Sequence, residues 1–351
     1  MTQVKSTDEF AGQVVADVAA AISGVLTNIG HKKGLYKAMA GEGRVSSTWL
    51  AEKTNTDERY VREWLNNQTA GGYIVYHQQT NEYLLPDEYI PVLVDEESPF
   101  FLIPALEVAA SLWLDEDKIL DIFSSGDGLE WGEHHHRLSC GSESLFRPGY
   151  KTFLIEQWIS AVDGLPEKLR AGAKIADVGC GHGVSTIRMS SEFPASEIVG
   201  YDIHENSIAT AKSRALAASA NDNIDFKVAS AKGYQDDSFD LICFMDCLHD
   251  MGDPVGAAKH AREALNDDGV VLLVEPAAGD EVNDNLNPVG RLYYGVSTVI
   301  CTPCSKSQEV GAALGAQAGQ KRLSEVMIEA GFSSVERVAE TPFNIILAAR
   351  P

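Results

Sequence analysis

The 351-residue chain is poor in positive charge, with 28 lysines and arginines against 51 aspartates and glutamates and a net charge of −23. Such acidity opposes nucleic-acid binding unless a local basic surface exists. Long apolar runs are also scarce, so we expect no membrane-spanning segment, and the polar first ten residues lack the pattern of a secretion signal. The six cysteines are scattered rather than spaced as a disulfide framework, which favours a cytoplasmic location.

The most informative segment is residues 173–183, Ala-Lys-Ile-Ala-Asp-Val-Gly-Cys-Gly-His-Gly. An apolar run ends at Asp177, and the alternating glycines Gly179, Gly181 and Gly183 precede an expected helix. Glycines permit positive φ and remove the Cβ atoms that would keep a ligand away from the backbone. The helix N-terminus adds unpaired N–H groups and a positive dipole end. These features predict a strand, loop and helix that bind a nucleoside-like, partly anionic small ligand.

The glycine spacing separates two classes of nucleotide ligand. A dinucleotide-binding pattern G-x-G-x-x-G would need its third glycine at position 184 or 186, and these positions hold Val184 and Thr186 instead. The spacing D-x-G-x-G-x-G from Asp177 to Gly183 instead resembles the first motif of class I S-adenosylmethionine-dependent methyltransferases. A second acid, Asp202, ends the next apolar strand, where a carboxylate can accept hydrogen bonds from both ribose hydroxyls; NAD sites use an acid at a similar distance.

Strands and helices alternate after the glycine loop. Further strands are predicted at 197–202, 223–228, 239–245 and 269–275, with a turn at 267–269 before the last. This order predicts an α/β fold with a Rossmann-like parallel sheet. Ligands on such sheets lie beyond the carboxyl ends of the strands, so residues at those ends are expected to share one site. They are Asp177, Asp202, Ser230 with Ala231, Asp246, His249 and Glu275.

The N-terminal part of the chain resembles a winged helix. The predicted elements are a helix with apolar residues at helical spacing at 11–30, two shorter helices near 47–51 and 58–67, and a hairpin around 78–81. A winged helix can bind DNA, but the charge on its third helix nearly cancels, whereas a DNA-binding helix needs a basic stripe. The expected domains are a winged helix at 1–95, a helical linker and active-site cover at 96–165, and a ligand-binding domain at 166–351 with a cap insertion at 278–320.

The order of domains resembles that of small-molecule O-methyltransferases, in which the winged helix serves dimerisation and closes the substrate pocket. It is also similar to bacterial methyltransferases that pair a winged helix with this glycine motif. The resemblance covers nearly the whole chain. It implies S-adenosylmethionine as the cofactor, a small-molecule acceptor with a hydroxyl as the expected target, and a homodimer.

The segment Leu248-His249-Asp250 resembles the one that carries the catalytic base in plant-type O-methyltransferases, with Met251 where that family usually has tryptophan. Histidine titrates near neutral pH and can accept the proton of a hydroxyl acceptor. Glu275 matches the family's acid that orients the base. The alternative for His249 is a capping or buried histidine that moves no proton.

Two further segments bear on the site. Residues 146–150 are expected to precede a helix at 151–161, so that Tyr150 or Phe146 faces the sulfonium and Arg147 pairs with the methionine carboxylate of the cofactor. No metal site is expected, because the adjacent histidines at 134–136 point in different directions and the Cys301/Cys304 pair has no second C-x-x-C.

Two other functions remain open at this stage. One is a regulator that binds S-adenosylmethionine and, through the winged helix, DNA, without catalysis. The other is an NAD-dependent oxidoreductase, which the glycine spacing disfavours.

Overall fold

The computed structural model describes residues 4–218, 220, 222–235 and 238–351. The chain divides into two compact units. The N-terminal unit contains Met1–Trp113 and Arg137–Pro148, and the C-terminal unit contains Leu114–His136 and Gly149–Pro351.

The N-terminal unit combines helices with a small antiparallel sheet. Its helices are α1 (Thr7–Lys32), α2 (Leu35–Met39), α3 (Ser47–Thr54), α4 (Glu58–Ala70), α5 (Ile90–Leu93) and α6 (Pro104–Leu114, whose last residue falls in the other unit). Strands β1 (Arg44–Val45), β2 (Val75–His77) and β3 (Glu82–Leu84) form the sheet in the order β1-β3-β2. The side chain of Asp57 caps α4 by accepting hydrogen bonds from the N–H groups of Arg59 and Tyr60. Helices α3 and α4 bury Leu50, Trp64 and Leu65 in a common core.

The expectation that no segment is long and apolar enough to span a membrane is wrong for helix α1. By length and composition its 26 residues suffice, since an 18-residue window has a mean hydropathy of 1.5. Only 6% of that window is buried inside the protein. The apolar side chains Val18, Ile22 and Val25 are all more than half exposed. The helical spacing was predicted, but its apolar face is not part of the core.

The C-terminal unit is built on a seven-stranded sheet in the order β6-β5-β4-β7-β8-β10-β9. The strands are β4 (Lys174–Val178), β5 (Glu197–Asp202), β6 (Ile224–Val228), β7 (Phe239–Met245), β8 (Leu265–Pro276), β9 (Ser334–Glu340) and β10 (Asn344–Arg350). Strands β4 to β8 run parallel, and β10 pairs antiparallel with β8 and β9. The chain passes from β4 outward to β6 and then returns to β7 on the other side of β4. That reversal is the topological switch point at which such sheets bind ligands.

Helices pack on both faces of this sheet, α12 and α15 on one face and α9 and α10 on the other. The helices of the unit are α7 (Glu116–Ser125), α8 (Arg137–Phe153, which begins in the N-terminal unit), α9 (Leu165–Ala171), α10 (Val184–Glu192), α11 (Glu205–Ala217), α12 (Pro254–Ala264), α13 (Pro288–Val296), α14 (Thr302–Lys306) and α15 (Gly319–Glu329). Side chains alternate between two cores, as Phe244 and Leu273 lie on one face and Cys243 and Leu272 on the other. The Rossmann-like sheet predicted from the sequence is therefore present.

Two local predictions are wrong. Residues 267–269 do not form a turn before the strand but belong to β8, where the pairing with β7 shifts register between Phe239 and Leu241. The side chain of Asn266 holds this irregular stretch against β7 through hydrogen bonds to Ser238 and Asp240. Likewise, residues 146–150 do not precede a helix but lie inside α8, which continues through Pro148.

Candidate active site

The glycine loop joins β4 to α10. Gly179, Gly181 and Gly183 have φ of 77°, 52° and 79°, a left-handed conformation that only glycine adopts readily. A Cβ at Gly183 would lie 2.7 Å from the ring of Phe226 and 2.9 Å from Ala211, so this glycine allows the helix and strands to pack closely. A Cβ at Gly181 would have no neighbour within 4 Å. The backbone of Gly181 therefore faces open space that a ligand could fill.

The two acids at the strand ends hold this loop in place. Asp202 accepts hydrogen bonds from the N–H of Gly181 and the N–H of His204, both at 2.9 Å. Asp177 is fully buried and accepts hydrogen bonds from the hydroxyls of Ser185 at 2.6 Å and Thr186 at 2.7 Å. Burial raises the pKa of Asp177 above its ordinary value despite these donors. Asp202 thus holds the loop and Asp177 the first turn of α10, and the contact of either acid with a cofactor stays a prediction.

Ser230 and Ala231 follow β6, beside the end of β5. The N–H of Ala229 donates to the carbonyl of Asp202 at 3.0 Å, which joins the two strand ends. Ser230 is exposed, and its carbonyl accepts a hydrogen bond from Gly233 in a turn. Ser230 and Ala231 therefore lie just beyond the carboxyl end of β6, as expected.

Asp246 follows β7 with a strained backbone, φ 58°. Its N–H donates to the carbonyl of Val274 at 2.7 Å, and the amide of Asn344 donates to its carboxylate at 3.2 Å. Burial raises the pKa of Asp246 to about 7, against the opposing effect of the positive charge on His249. Burial also holds the pKa of the Tyr150 phenol well above its ordinary value, with the carboxylates of Asp246 and Asp177 adding to the effect. Tyr150 and Asp246 therefore lie in the same region.

Arg147 and Phe146 belong to the N-terminal unit, unlike Tyr150. The guanidinium of Arg147 lies 4.0 Å from the carboxylate of Glu96 in that unit. Pairing of Arg147 with a cofactor carboxylate stays a prediction.

The structure brings His249 and Glu275 together in the interior of the C-terminal unit. His249 lies in a short turn after β7 and is 4% exposed, and Glu275 lies near the end of β8 and is 1% exposed. One carboxylate oxygen of Glu275 lies 2.5 Å from His249 Nδ1, and the other accepts the N–H of Leu248 at 3.0 Å. Because an ionised carboxylate only accepts hydrogen bonds, we assign the hydrogen of the neutral ring to Nδ1. Nε2 is then left with its lone pair available.

The electrostatics of His249 favour the charged imidazole. Burial by itself would lower the pKa of His249, but the carboxylates of Asp250 and Glu275 outweigh burial and hold it well above its ordinary value. Once it has lost its proton, the ring is accordingly a stronger base than an ordinary histidine.

Sequence reasoning missed three residues around this pair. Asp250 Oδ1 lies 3.3 Å from His249 Nε2, and the thiol sulfur of Cys301 lies within 4.8 Å of a ligand atom on each of these two residues. Asn344 reaches Asp246 from 98 positions along the chain. Asp250 adjoins His249 in the sequence, but no local pattern indicates that Cys301 or Asn344 would come close.

Known protein families match both parts of the chain. Residues 20–94 match the family described as the Rv2258c-like winged HTH domain, and residues 169–331 match a methyltransferase domain family. Over 178 residues the chain is 32% identical to 27-O-demethylrifamycin SV methyltransferase of Amycolatopsis mediterranei, a match that covers 48% of this chain and 62% of that enzyme. It is also 34% identical over 107 residues to phosphoethanolamine N-methyltransferase 1 of Arabidopsis thaliana, covering 30% of this chain and 21% of that protein. The chain thus matches less than two thirds of the length of either relative.

The structure of human N-acetylserotonin methyltransferase, solved in complex with S-adenosylmethionine, has the same fold. It superimposes with a TM-score of 0.70 at 16% sequence identity, and the match covers 100% of this chain and 99% of that chain. Together, the two family matches, the seven-stranded sheet and the glycine loop at its switch point lead to one assignment. The chain belongs to the class I S-adenosylmethionine-dependent methyltransferases that carry an N-terminal winged-helix domain.

Proposed function

We propose that this protein transfers a methyl group from S-adenosylmethionine to a hydroxyl of a small-molecule acceptor, with His249 as the general base. The observation that carries the proposal is the buried pair of His249 and Glu275, in the C-terminal unit that also holds the glycine loop. The name of the Amycolatopsis relative, which describes a 27-O-demethylated substrate, supports an oxygen acceptor.

The residues of the glycine loop fit the proposed cofactor. The backbone beside Gly181 faces open space, and the Asp202 carboxylate that would bind ribose hydroxyls adjoins it. Tyr150, near Asp246, would supply an aromatic ring for a sulfonium cation. When bound, S-adenosylmethionine supplies an electrophilic methyl group.

The work left to the protein is to orient the acceptor and remove its proton. Glu275 holds Nδ1 of His249, so that the ring cannot rotate and Nε2 is the atom that accepts the proton. Glu275 is itself held by the N–H of Leu248, so both of its oxygens are engaged. The imidazolium formed in the step is stabilised by the carboxylates of Glu275 and Asp250.

Methyl transfer can be tested with tritiated S-adenosylmethionine and a panel of hydroxyl-bearing small molecules, each matched to its amine analogue. For any accepted hydroxyl, we expect His249→Asn to lower the rate by about 10² to 10⁴-fold, while affinity for S-adenosylhomocysteine stays unchanged. His260→Asn is the matched control, because His260 is a histidine of the same unit whose ring nitrogen contacts a backbone carbonyl, that of Tyr234, at 2.9 Å. Transfer to amines alone, or full activity in His249→Asn, would refute the proposal.

The charges on helix α4 argue against DNA as a partner. In the recognition-helix position, Arg59 and Arg62 of α4 form ion pairs with Glu63 and Glu58. Their charges are therefore compensated on that helix. We expect no DNA binding even at low salt, and a salt-dependent affinity in an electrophoretic shift assay would revive the regulator alternative.

We further propose that the chain forms a homodimer through α1. Its exposed apolar face repeats at helical spacing and would be covered by a second copy. The residues of this face are Val14, Val18, Ile22, Val25 and Ile29.

Analytical ultracentrifugation tests the homodimer. We expect a dimer for the wild type and a monomer for Ile22→Asp, while Leu216→Asp, an exposed apolar position on α11 of the other unit, leaves the dimer intact. A monomeric wild type that floats with lipid vesicles would instead assign α1 to a membrane.

A further inference from the structure

A compact group of metal-ligand atoms lies on the Nε2 side of His249. A ring nitrogen of His249, a carboxylate oxygen of Asp250 and the thiol sulfur of Cys301 all lie within 4.8 Å of one another, and Nε2 is the ring nitrogen beside Asp250. His249 and Cys301 are buried, and Asp250 is partly buried. The Oδ1 atom of Asp250 is shielded from solvent, and within the described ranges it accepts no hydrogen bond of regular geometry. The group is thus an interior cluster of three different donors.

The spacing of these atoms suits a tetrahedral zinc ion. With zinc about 2.0–2.1 Å from a nitrogen and an oxygen ligand, a tetrahedral angle puts the two ligands about 3.3–3.4 Å apart. The His249 Nε2 to Asp250 Oδ1 distance is 3.3 Å. A set of one imidazole, one thiolate and one carboxylate also favours zinc over magnesium or calcium, which prefer oxygen ligands alone.

The surroundings of His249 match those of a metal-binding histidine. Such a histidine usually donates its other ring N–H to a carboxylate, which fixes the ring and raises its basicity. Glu275 occupies this place, 2.5 Å from Nδ1. The contact that orients a catalytic base therefore also orients a metal ligand.

The two segments that supply the donors are tied to each other. The hydroxyl of Ser305 donates to the carbonyl of Met251 at 2.8 Å. The Gln308 side chain accepts the N–H of Gly252 at 3.0 Å and donates to the carbonyl of Asp250 at 2.9 Å. These contacts hold the segments that carry Cys301 and Asp250 beside each other before any ion binds, as a preformed site requires.

We propose that His249, Asp250 and Cys301 form a zinc-binding site with an open fourth position. Zinc binding itself does not depend on the proposed function. Its consequence does rest on that function, because a zinc ion on Nε2 occupies the atom that would accept the acceptor's proton. Zinc therefore inhibits methyl transfer, and removing it with a chelator restores activity.

Binding is tested by titrating zinc chloride into the full-length, chelator-treated protein in competition with a chromophoric chelator. We expect one saturable site per chain. Cys301→Ser and Asp250→Asn each weaken it by about tenfold or more, and Glu275→Gln weakens it by about 10- to 100-fold. Cys304→Ser is the matched control, because Cys304 is a buried cysteine one helical turn away and outside the cluster. Thermal melting and S-adenosylhomocysteine affinity show whether each variant is folded.

Cobalt provides a second readout that a merely structural role would not produce. With Co²⁺ in place of zinc, we expect a thiolate-to-metal charge-transfer band in the wild type and in Cys304→Ser, and its loss in Cys301→Ser. The absence of saturable zinc binding in the wild type would overturn the site. It would also be overturned if Cys301→Ser bound zinc as tightly as the wild type, or if Cys301→Ser and Cys304→Ser lost zinc affinity equally. If zinc binds but no acceptor is ever methylated, the site stands and the proposed function fails.

Discussion

Two glycines of the same loop are expected to respond to alanine in different ways. Gly181 and Gly183 both have positive φ, so alanine at either position costs about 1–2 kcal/mol of backbone strain. At Gly183 the new Cβ also meets Phe226 and Ala211 at 2.7 Å and 2.9 Å, and such overpacking adds about 1–3 kcal/mol. We therefore expect Gly183→Ala to lower the free energy of unfolding by about 2–5 kcal/mol, and Gly181→Ala by about 1–2 kcal/mol.

Ligand affinity is expected to follow the opposite order. The Cβ added at Gly181 enters the open space assigned to the cofactor, so Gly181→Ala weakens S-adenosylmethionine binding by about tenfold or more, equivalent to about 1.4 kcal/mol. Gly183→Ala, once folded, has its Cβ directed at Phe226 and affects binding less. Urea denaturation and isothermal titration calorimetry measure the two quantities.

Either measurement can refute this reasoning. Equal unfolding free energies for the two variants would mean that the loop relaxes around Gly183 and that close packing does not explain this glycine. Unchanged cofactor affinity in Gly181→Ala would mean that the open space beside this loop is not where the cofactor binds.

Three other perturbations address single contacts. Asp202→Asn exchanges one acceptor oxygen for a donor that faces an N–H group, so calorimetry should detect weaker S-adenosylmethionine binding; unchanged affinity would contradict the role of Asp202. Leu273→Ala in the centre of the sheet should cost about 2–5 kcal/mol of unfolding free energy in urea, and a smaller loss would indicate a collapsible core. Burial alone would raise the pKa of Glu107, but hydrogen bonds from Arg137, Lys32 and Asn28 outweigh it and lower the pKa to about 2. A lowered folded-state pKa stabilises the protein above about pH 4.5, so the deficit of Glu107→Gln in urea should shrink as the pH falls towards 2, and a constant deficit would refute the linkage.

Much of the C-terminal unit follows from local rules in the sequence. The parallel sheet was predicted because apolar strands alternate with helices along the chain, and strands β5 to β7 lie within a residue of their expected bounds. The positive φ of the loop glycines was predictable because the backbone limits that conformation largely to glycine. The boundary error at residues 267–269 arose because Asp-Asp-Gly is typical of turns, whereas here Asn266 holds the stretch beside β7.

Other features depend on contacts between distant segments. Helical periodicity shows that α1 is amphipathic, but exposure depends on what packs against the helix, and this face is left uncovered. The sequence also indicated that Asp202 ends a strand and could contact a ligand. It did not indicate that the Asp202 carboxylate accepts a hydrogen bond from the N–H of Gly181 in the glycine loop.

The sequence by itself determined the class of fold and the glycine loop, because strand periodicity and glycine sterics are short-range constraints. It also placed His249 and Glu275 near the ends of successive strands, and their pairing was expected from the resemblance to plant-type O-methyltransferases. Only the tertiary structure decided which side chain faces Nε2 of that histidine. Cys301 comes close to it through the segment after β8, whose path depends on hydrogen bonds from Ser305 and Gln308 to residues 54 and 58 positions earlier. Such long-range contacts leave no periodic pattern in the sequence, since they depend on how the elements pack rather than on the residues beside them.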